Sequence, residues 1–360
     1  MARRRILVTG ADTLIGSRTL NQLLAYDVSV RAIVGSHEQV HFLRQQYPPT
    51  RYPWLEIAIV ARSRLSTPGA FDDALRDQPE PFDTIIHTAT DHSEEADCLA
   101  RFVNLQTQCL LNVLRSIHSM NSRVRRVVIT TSLSPFARWL VEPDPGPYNP
   151  YSPASHRASE VDPEYILATS QASDNIVYTA LWNWMREARS RFELVYVTAP
   201  SVYGPCMRPL ENSSELQEAN RRVWNICSND SHERMRSPPY GIDYYTDVRD
   251  LALATVQAAF VAQAGNRRFM ISAGAMPSGA AIAQLLVSRF PELAGRVHSD
   301  GSPPRRTTPG HPPVGLSDTN LASTILGLVQ YRRVEDTLTD VAQQIVELQR
   351  RRSWRQIIQS

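Results

Sequence analysis

Short apolar runs alternate with longer amphipathic stretches along the first two hundred positions. RILVTG reads as a buried strand. TLIGSRTLNQLLA follows it with the three- and four-residue apolar spacing of a helix. VSVRAIVG, WLEIAIVA, DTIIHTAT and RRVVITTS repeat the strand signal. The helical signals after them are HEQVHFLRQQ, PGAFDDALRD, EEADCLARFVNLQTQCLLNVLRSIHS and, beyond a proline-rich loop, ATSQASDNIVYTALWNW. FELVYVTAP closes the series as a sixth strand. Continuous apolar strands alternating with helices belong to a parallel sheet covered on both faces. The pattern predicts an α/β fold built on a doubly wound parallel sheet.

Beyond residue 200 the rhythm breaks. Residues 201–245 are rich in Pro, Ser, Asn and Arg and read as an irregular lobe. DVRDLALATVQAAFVAQA and SGAAIAQLLVSRF read as helices, RRFMISAG as a further strand, and VEDTLTDVAQQIVELQRRRS as an amphipathic C-terminal helix. Residues 299–315 carry clustered breakers and form a loop. The expected division is a Rossmann-type domain over 1–200 plus about 242–275. A smaller C-terminal substrate lobe takes 201–241 plus about 276–360, with the pocket between them at the carboxyl ends of the strands.

Composition narrows the partners. A net charge of +2 over 360 residues gives no electrostatic case for nucleic acid, so the expected partner is a small molecule. None of the 38 basic residues is a lysine, which excludes Schiff-base chemistry and lysine-assisted proton transfer. Cys98, Cys109, Cys206 and Cys227 match no metal-binding spacing and read as reduced thiols. The apolar run in MARRRILVTG is too short for a signal peptide, and no run is long enough for a membrane span. A cytoplasmic protein, monomeric or homodimeric and with no metal, is the expectation.

TGADTLIG lies between the first strand and the first helix. Gly10 and Gly16 stand where a dinucleotide pyrophosphate would meet a helix N-terminus. The middle glycine position of that fingerprint is Thr13. A plain strand-to-helix turn is the alternative reading.

VTGADTLIG, DTIIHTAT, VRRVVITTS, FELVYVTAPSVYGP, DYYTDVRDLALA and ILGLVQYRRVEDTLTDVA occur in the order found in a known group. The chain resembles the extended short-chain dehydrogenases/reductases. Within them it is similar to the NAD-dependent epimerase/dehydratases and the carbonyl reductases of dihydroflavonol-reductase and methylglyoxal-reductase type. The resemblance implies NAD(P) at Gly10, Thr13, Ile15, Gly16, Ala89 and Thr130. It implies a catalytic serine at Ser132 and substrate contacts from His92, Phe136 and Tyr203. It also places Ser170 and Asp174 where the family has its Tyr-x-x-x-Lys pair. Ser170 is a poor acid, and an aspartate disfavours a phenolate. At the end of the second strand, where relatives carry a basic residue for a 2′-phosphate or an acid for a ribose, Gly35 and Ser36 are uncharged. The third strand runs on as VARSRLS where relatives have an Asp beside the adenine. NAD(P) is therefore a conditional cofactor, with these losses arguing against tight binding.

Ser170, Asp174 and Tyr178 are four residues apart and form one stripe of a helix. Asp174 is a candidate general base, or else a first-turn acid favoured by the helix dipole. Ser170 or Thr169 can equally cap the helix, and Tyr178 can donate to substrate or pack beside Trp182. Ser132 can act on substrate or cap the end of its strand. His87, inside the fourth strand, reads as a core histidine. Asp91 and His92 follow at the cleft mouth, where His92 can serve as a base or stand as an exposed loop residue. Tyr203 and Gly204 shape the pocket floor, and Tyr148 or Tyr151 can reach the cleft. The leading expectation is an enzyme that kept the pocket, abandoned hydride transfer and performs a non-redox step: cyclisation, isomerisation, dehydration or C–C cleavage. The alternatives are an NAD(P)H-dependent carbonyl reductase or epimerase with substitute acids, and a non-catalytic scaffold or regulator.

Overall fold

β1 (Arg4–Thr9), β2 (Val28–Val34), β3 (Leu55–Ile59), β4 (Thr84–His87), β5 (Arg126–Ser132), β6 (Glu193–Ala199) and β9 (Arg268–Met270) pair in parallel, in the order β3-β2-β1-β4-β5-β6-β9. The computed structural model describes residues 3–76, 80–89, 96–120, 123–141, 163–217, 219–228, 242, 244–295, 297, 316 and 319–359. The strand order reverses between β1 and β4, the switch point beside which such sheets bind ligands. This is the α/β, doubly wound Rossmann-like architecture that the alternating pattern predicts.

Each face of the sheet has its own core. α1 (Leu14–Leu23) and α8 (Val248–Phe260) pack together on one face, over Val8, Val30, Val128 and Val197. α4 (Leu99–Ser119) and α6 (Pro163–Glu187) cover the other, over Leu7, Ile85, Ile129 and Leu194. Between β2 and β3 runs α2 (His37–Gln46), and the expected helix in PGAFDDALRD is the single turn α3 (Asp72–Leu75). VARSRLS forms a 3₁₀ turn over Arg62–Arg64.

The expected irregular lobe has more order than its composition suggests. β7 (Ser201–Tyr203), α7 (Asn220–Cys227) and β8 (Tyr244–Asp247) lie within it, and β8 pairs with β7 and with β10 (Gly274–Ala275). Val223, Trp224, Ile226 and Cys227 of α7 are fully buried among residues of α9 (Gly279–Arg289) and α11 (Val334–Gln359). That apolar set outweighs the polar surroundings. α10 (Leu321–Leu326) instead packs on α8.

The helix expected over 168–184 begins earlier, at Pro163, a residue suited to a first helical position. Ser170 and Thr169 are thus well inside α6, and the capping reading is corrected.

Candidate active site

The turn from β1 into α1 is built by two glycines. Gly10 has φ +65°, and a Cβ there would lie 2.8 Å from Ala89 Cα and N. At Gly16 a Cβ would stand 2.0 Å from Gly10 O and 2.5 Å from Thr88 Oγ1. Two of the three glycine roles of a dinucleotide turn are therefore kept: the tight turn and the close helix–strand approach. Thr13, in the third place, caps α1. Its Oγ1 accepts the Gly16 N–H at 3.0 Å and donates to Gly10 O at 2.8 Å. The Leu14 N–H, which points out of the helix N-terminus, is taken by Gln217 Oε1 at 2.8 Å. Ile15 and Ala89 are buried, Ile15 with its side chain in the core beneath the turn.

Below the turn, Thr88 donates to Thr9 O at 2.7 Å and Thr9 Oγ1 meets His87 Nδ1 at 2.7 Å. Burial pushes the His87 imidazole down to about 4, and Phe71 packs edge-on against it at 5.8 Å. It is a neutral core histidine, a floor rather than a base.

Beside the turn, Thr9, Gly10, Asp12, Gly35, Val60, Arg62 and Ala89 line a narrow cleft. It adjoins a second cleft of about 220 Å³ between the turn and the lobe, which Asp12, Thr13, Arg62 and Gln217 also line. Asp12 is nearly fully buried. Its Oδ2 accepts the Gly35 N–H at 3.3 Å and pairs with Arg62 at 3.0 Å.

Ser132 is the last residue of β5 and is buried. Its neighbours diverge. Thr130 Oγ1 bonds Thr255 Oγ1 of α8 at 3.0 Å, while Thr131 faces Tyr196 and Thr198. Phe136, in α5 (Ser134–Val141), packs on Phe102 with ring centroids 5.6 Å apart. Tyr203 packs into the lobe core, and Gly204 is pinned by Asn220 through both backbone groups. His92, Asp91, Tyr148 and Tyr151 lie outside the described residues.

The stripe of α6 turns inward. Asp174 is fully buried and its oxygens hold three donors: Tyr196 OH at 2.7 Å, Thr198 Oγ1 at 3.1 Å and the Arg268 guanidinium at 2.6 Å. Burial pushes Asp174 upward against the pull of that guanidinium and the hydroxyls. Tyr196 is pushed well above its ordinary value by burial and by the Asp174 charge, so it stays a phenol and donates. Tyr178 lies in the same cluster, its ring 5.4 Å from Tyr196 and 5.1 Å from the Arg268 guanidinium carbon. Trp182 stacks with it. One turn earlier, Ser170 Oγ is buried with no hydrogen-bond partner among the described residues. The arrangement brings Asp174 and Tyr178 together around Arg268. Sequence reasoning missed Arg268, Tyr196, Arg62 and Gln217. The one available signal for Arg268 was a charge in an otherwise apolar strand.

Comparison with known proteins agrees with this geometry. Residues 6–160 match the NAD dependent epimerase/dehydratase family. An NADPH-dependent methylglyoxal reductase of Saccharomyces cerevisiae is 24% identical over 357 residues, covering 96% of this chain and 99% of that one. A ketoreductase of Aspergillus niger, azaE, is 24% identical over 349 residues, covering 96% and 98%. A crystal structure of Gre2 from Candida albicans in complex with NADPH superposes with a TM-score of 0.70. It is 22% identical and covers 96% of this chain and 99% of that one. The fold is that of these short-chain dehydrogenase/reductase structures. Over residues 6–160 the chain is similar to the NAD-dependent epimerase/dehydratases, and the reductase names of its relatives support an enzyme.

These relatives overturn the leading expectation of a non-redox step. They are named as reductases, and the match runs through the very segment where Tyr and Lys are replaced. Their names favour the carbonyl-reductase alternative over a non-redox step. The residues at the turn also fit a dinucleotide: both flanking glycines are kept, and the acceptor on the Leu14 N–H is a side-chain oxygen that a phosphate oxygen can replace. Among the described residues no helix is long and apolar enough to cross a membrane.

Proposed function

We propose that the protein is an NAD(P)H-dependent carbonyl reductase acting on a small organic ketone or aldehyde. The observation that carries this reading is the Gly10–Gly16 cradle. No side chain fits at either glycine, so the tight turn and the close helix–strand packing of a dinucleotide-binding turn are still enforced. The reductase names of the full-length relatives support it. A nicotinamide cofactor held at this turn would supply the hydride.

This chain's own residues hold the carbonyl oxygen. Ser132, at the end of β5, donates a hydrogen bond to it. Ser170, in the place of the family tyrosine, offers a second buried hydroxyl with no hydrogen-bond partner among the described residues. An unsatisfied buried hydroxyl costs about 1–3 kcal/mol, which a substrate oxygen would recover. Neither hydroxyl is an acid near neutral pH, so the proton comes from water, and turnover lacks the titration that a phenol–ammonium couple imposes. Asp174, with three donors on its oxygens, serves as a support for α6 rather than as a base.

Titration of the full chain with NADPH and NADH, read by cofactor fluorescence, tests the proposal. Submillimolar binding of at least one, followed by its oxidation when an α-ketoaldehyde or diketone is added, is the expected result. Absence of binding at millimolar cofactor overturns it.

A further inference from the structure

We infer that Arg62 is the cation that holds a phosphate on the 2′-hydroxyl of the cofactor's adenosine, making the enzyme select NADPH over NADH. The inference rests on the reading of this cleft as a nicotinamide-cofactor site. Enzymes that choose between the two cofactors do so at the end of β2, with an acid for the ribose or an arginine for the phosphate. Here β2 ends at Val34, followed by Gly35 and by Ser36, whose hydroxyl caps α2. Neither carries a charge.

The charge arrives from the neighbouring strand. β3 runs parallel to β2 with Val34 opposite Ile59, so the two strands end side by side. The 3₁₀ turn after β3 then opens with Arg62. Its side chain crosses the face of Gly35: a Cβ on Gly35 would lie 3.1 Å from Arg62 Cγ and 3.3 Å from Arg62 Nε. The glycine and the arginine are complementary, because the missing side chain at one makes the path for the other.

Asp12 fixes the guanidinium without covering it. One nitrogen of Arg62 contacts Asp12 Oδ2 at 3.0 Å, and the Arg62 side chain remains 53% exposed while Asp12 is 3% exposed. Asp12 Oδ2 also accepts the Gly35 N–H, so the carboxylate is anchored from both sides. Arg62 lines both clefts, and its planar guanidinium fork suits a phosphate. Arg208, the other arginine lining this cleft, is held by Glu215 at 3.0 Å and lies over Phe42. Asp12 offers the competing outcome, since an acid beside the end of β2 can instead accept a free 2′-hydroxyl.

The test compares adenosine 2′,5′-bisphosphate with adenosine 5′-monophosphate, and NADPH with NADH, by calorimetry on the full chain. The 2′-phosphorylated member of each pair is expected to bind about tenfold tighter or more. Arg62→Gln should remove that preference and leave the monophosphate affinity within about twofold, while Arg62→Lys should keep part of it. Equal affinities in the wild type, a preference for NADH, or an Arg62→Gln loss shared by both nucleotides would each overturn the role of Arg62. In those three outcomes the dinucleotide site itself stands. If neither nucleotide nor either dinucleotide binds, the reading of the cleft fails together with the inference.

Discussion

The β1–α1 turn and the middle of α6 each carry a buried aspartate held by one arginine. Asp12 pairs with Arg62 at 3.0 Å and Asp174 with Arg268 at 2.6 Å, and both carboxylates are almost wholly out of solvent. The difference lies in what covers the arginine. Arg62 stands half in water at the lip of a cleft, whereas Arg268 is 23% exposed, with its guanidinium close to the rings of Tyr178 and Tyr196. A cation open to a cleft can exchange partners with a ligand. One walled by aromatic rings joins β9 and β6 to α6. The same pair of residue types thus serves binding in one place and architecture in the other.

Removing the acids separates the two most sharply. Asp174→Ala strands the half-buried Arg268 and the buried Tyr196 hydroxyl, and should cost about 3–5 kcal/mol of stability by urea unfolding. Replacing both partners, Asp174→Leu with Arg268→Met, should restore most of it, because no uncompensated charge then remains. Asp12→Ala leaves an arginine already half in water and should cost only about 1 kcal/mol. If Asp174→Ala folds at wild-type stability and merely loses turnover, Asp174 is catalytic and the contrast collapses.

A second buried group gives the pH dependence. His87 titrates near 6.5 when unfolded and at about 4 in the fold. The unfolded chain therefore binds the extra proton first on acidification. Stability from this group is full above pH 6.5, falls as the pH drops toward about 4, and is level below that, a span of about 3 kcal/mol. His87→Gln should flatten that slope in urea midpoints compared between neutral and acidic buffer. An unchanged slope would assign it to other groups.

Between the two ion pairs lies the end of β5, where single residues on alternate faces have different work. Ser132→Ala should lower kcat/KM about 100-fold with the unfolding midpoint unchanged, as the loss of one donor to a developing oxyanion does. Thr131→Val, which removes hydrogen bonds to Tyr196 and Thr198, should leave turnover nearly intact. Equal effects on turnover from the two variants would refute the assignment of Ser132.

The fold was legible because its evidence is local. Apolar runs such as RILVTG and RRVVITTS and the glycine turn carry their meaning within a few residues of sequence. The site was less so, since its decisive contacts join distant positions. Asp174 meets Tyr196, Thr198 and Arg268, and Arg62 meets Asp12 fifty residues away. Reading the lost Tyr and Lys as lost redox chemistry treated two positions as the whole site. Arg62 was visible in VARSRLS but counted only as a missing Asp, because sequence does not reveal that β3 ends beside Gly35.

The smallest expected effect concerns Thr13, where stability and binding pull in opposite directions. Its hydroxyl closes the first turn of α1 by bonding both Gly16 N–H and Gly10 O. Thr13→Gly gives up that cap at a cost of about 0.5 kcal/mol, because glycine is itself tolerated at the position. The variant also clears the branched side chain from the mouth of the helix N-terminus, where a pyrophosphate would approach the Leu14 N–H now held by Gln217. Dinucleotide affinity should therefore rise about threefold to tenfold while the unfolding midpoint falls slightly. Weaker binding in Thr13→Gly would mean that the Thr13 hydroxyl is itself a phosphate ligand, and that the cleft was rebuilt around it.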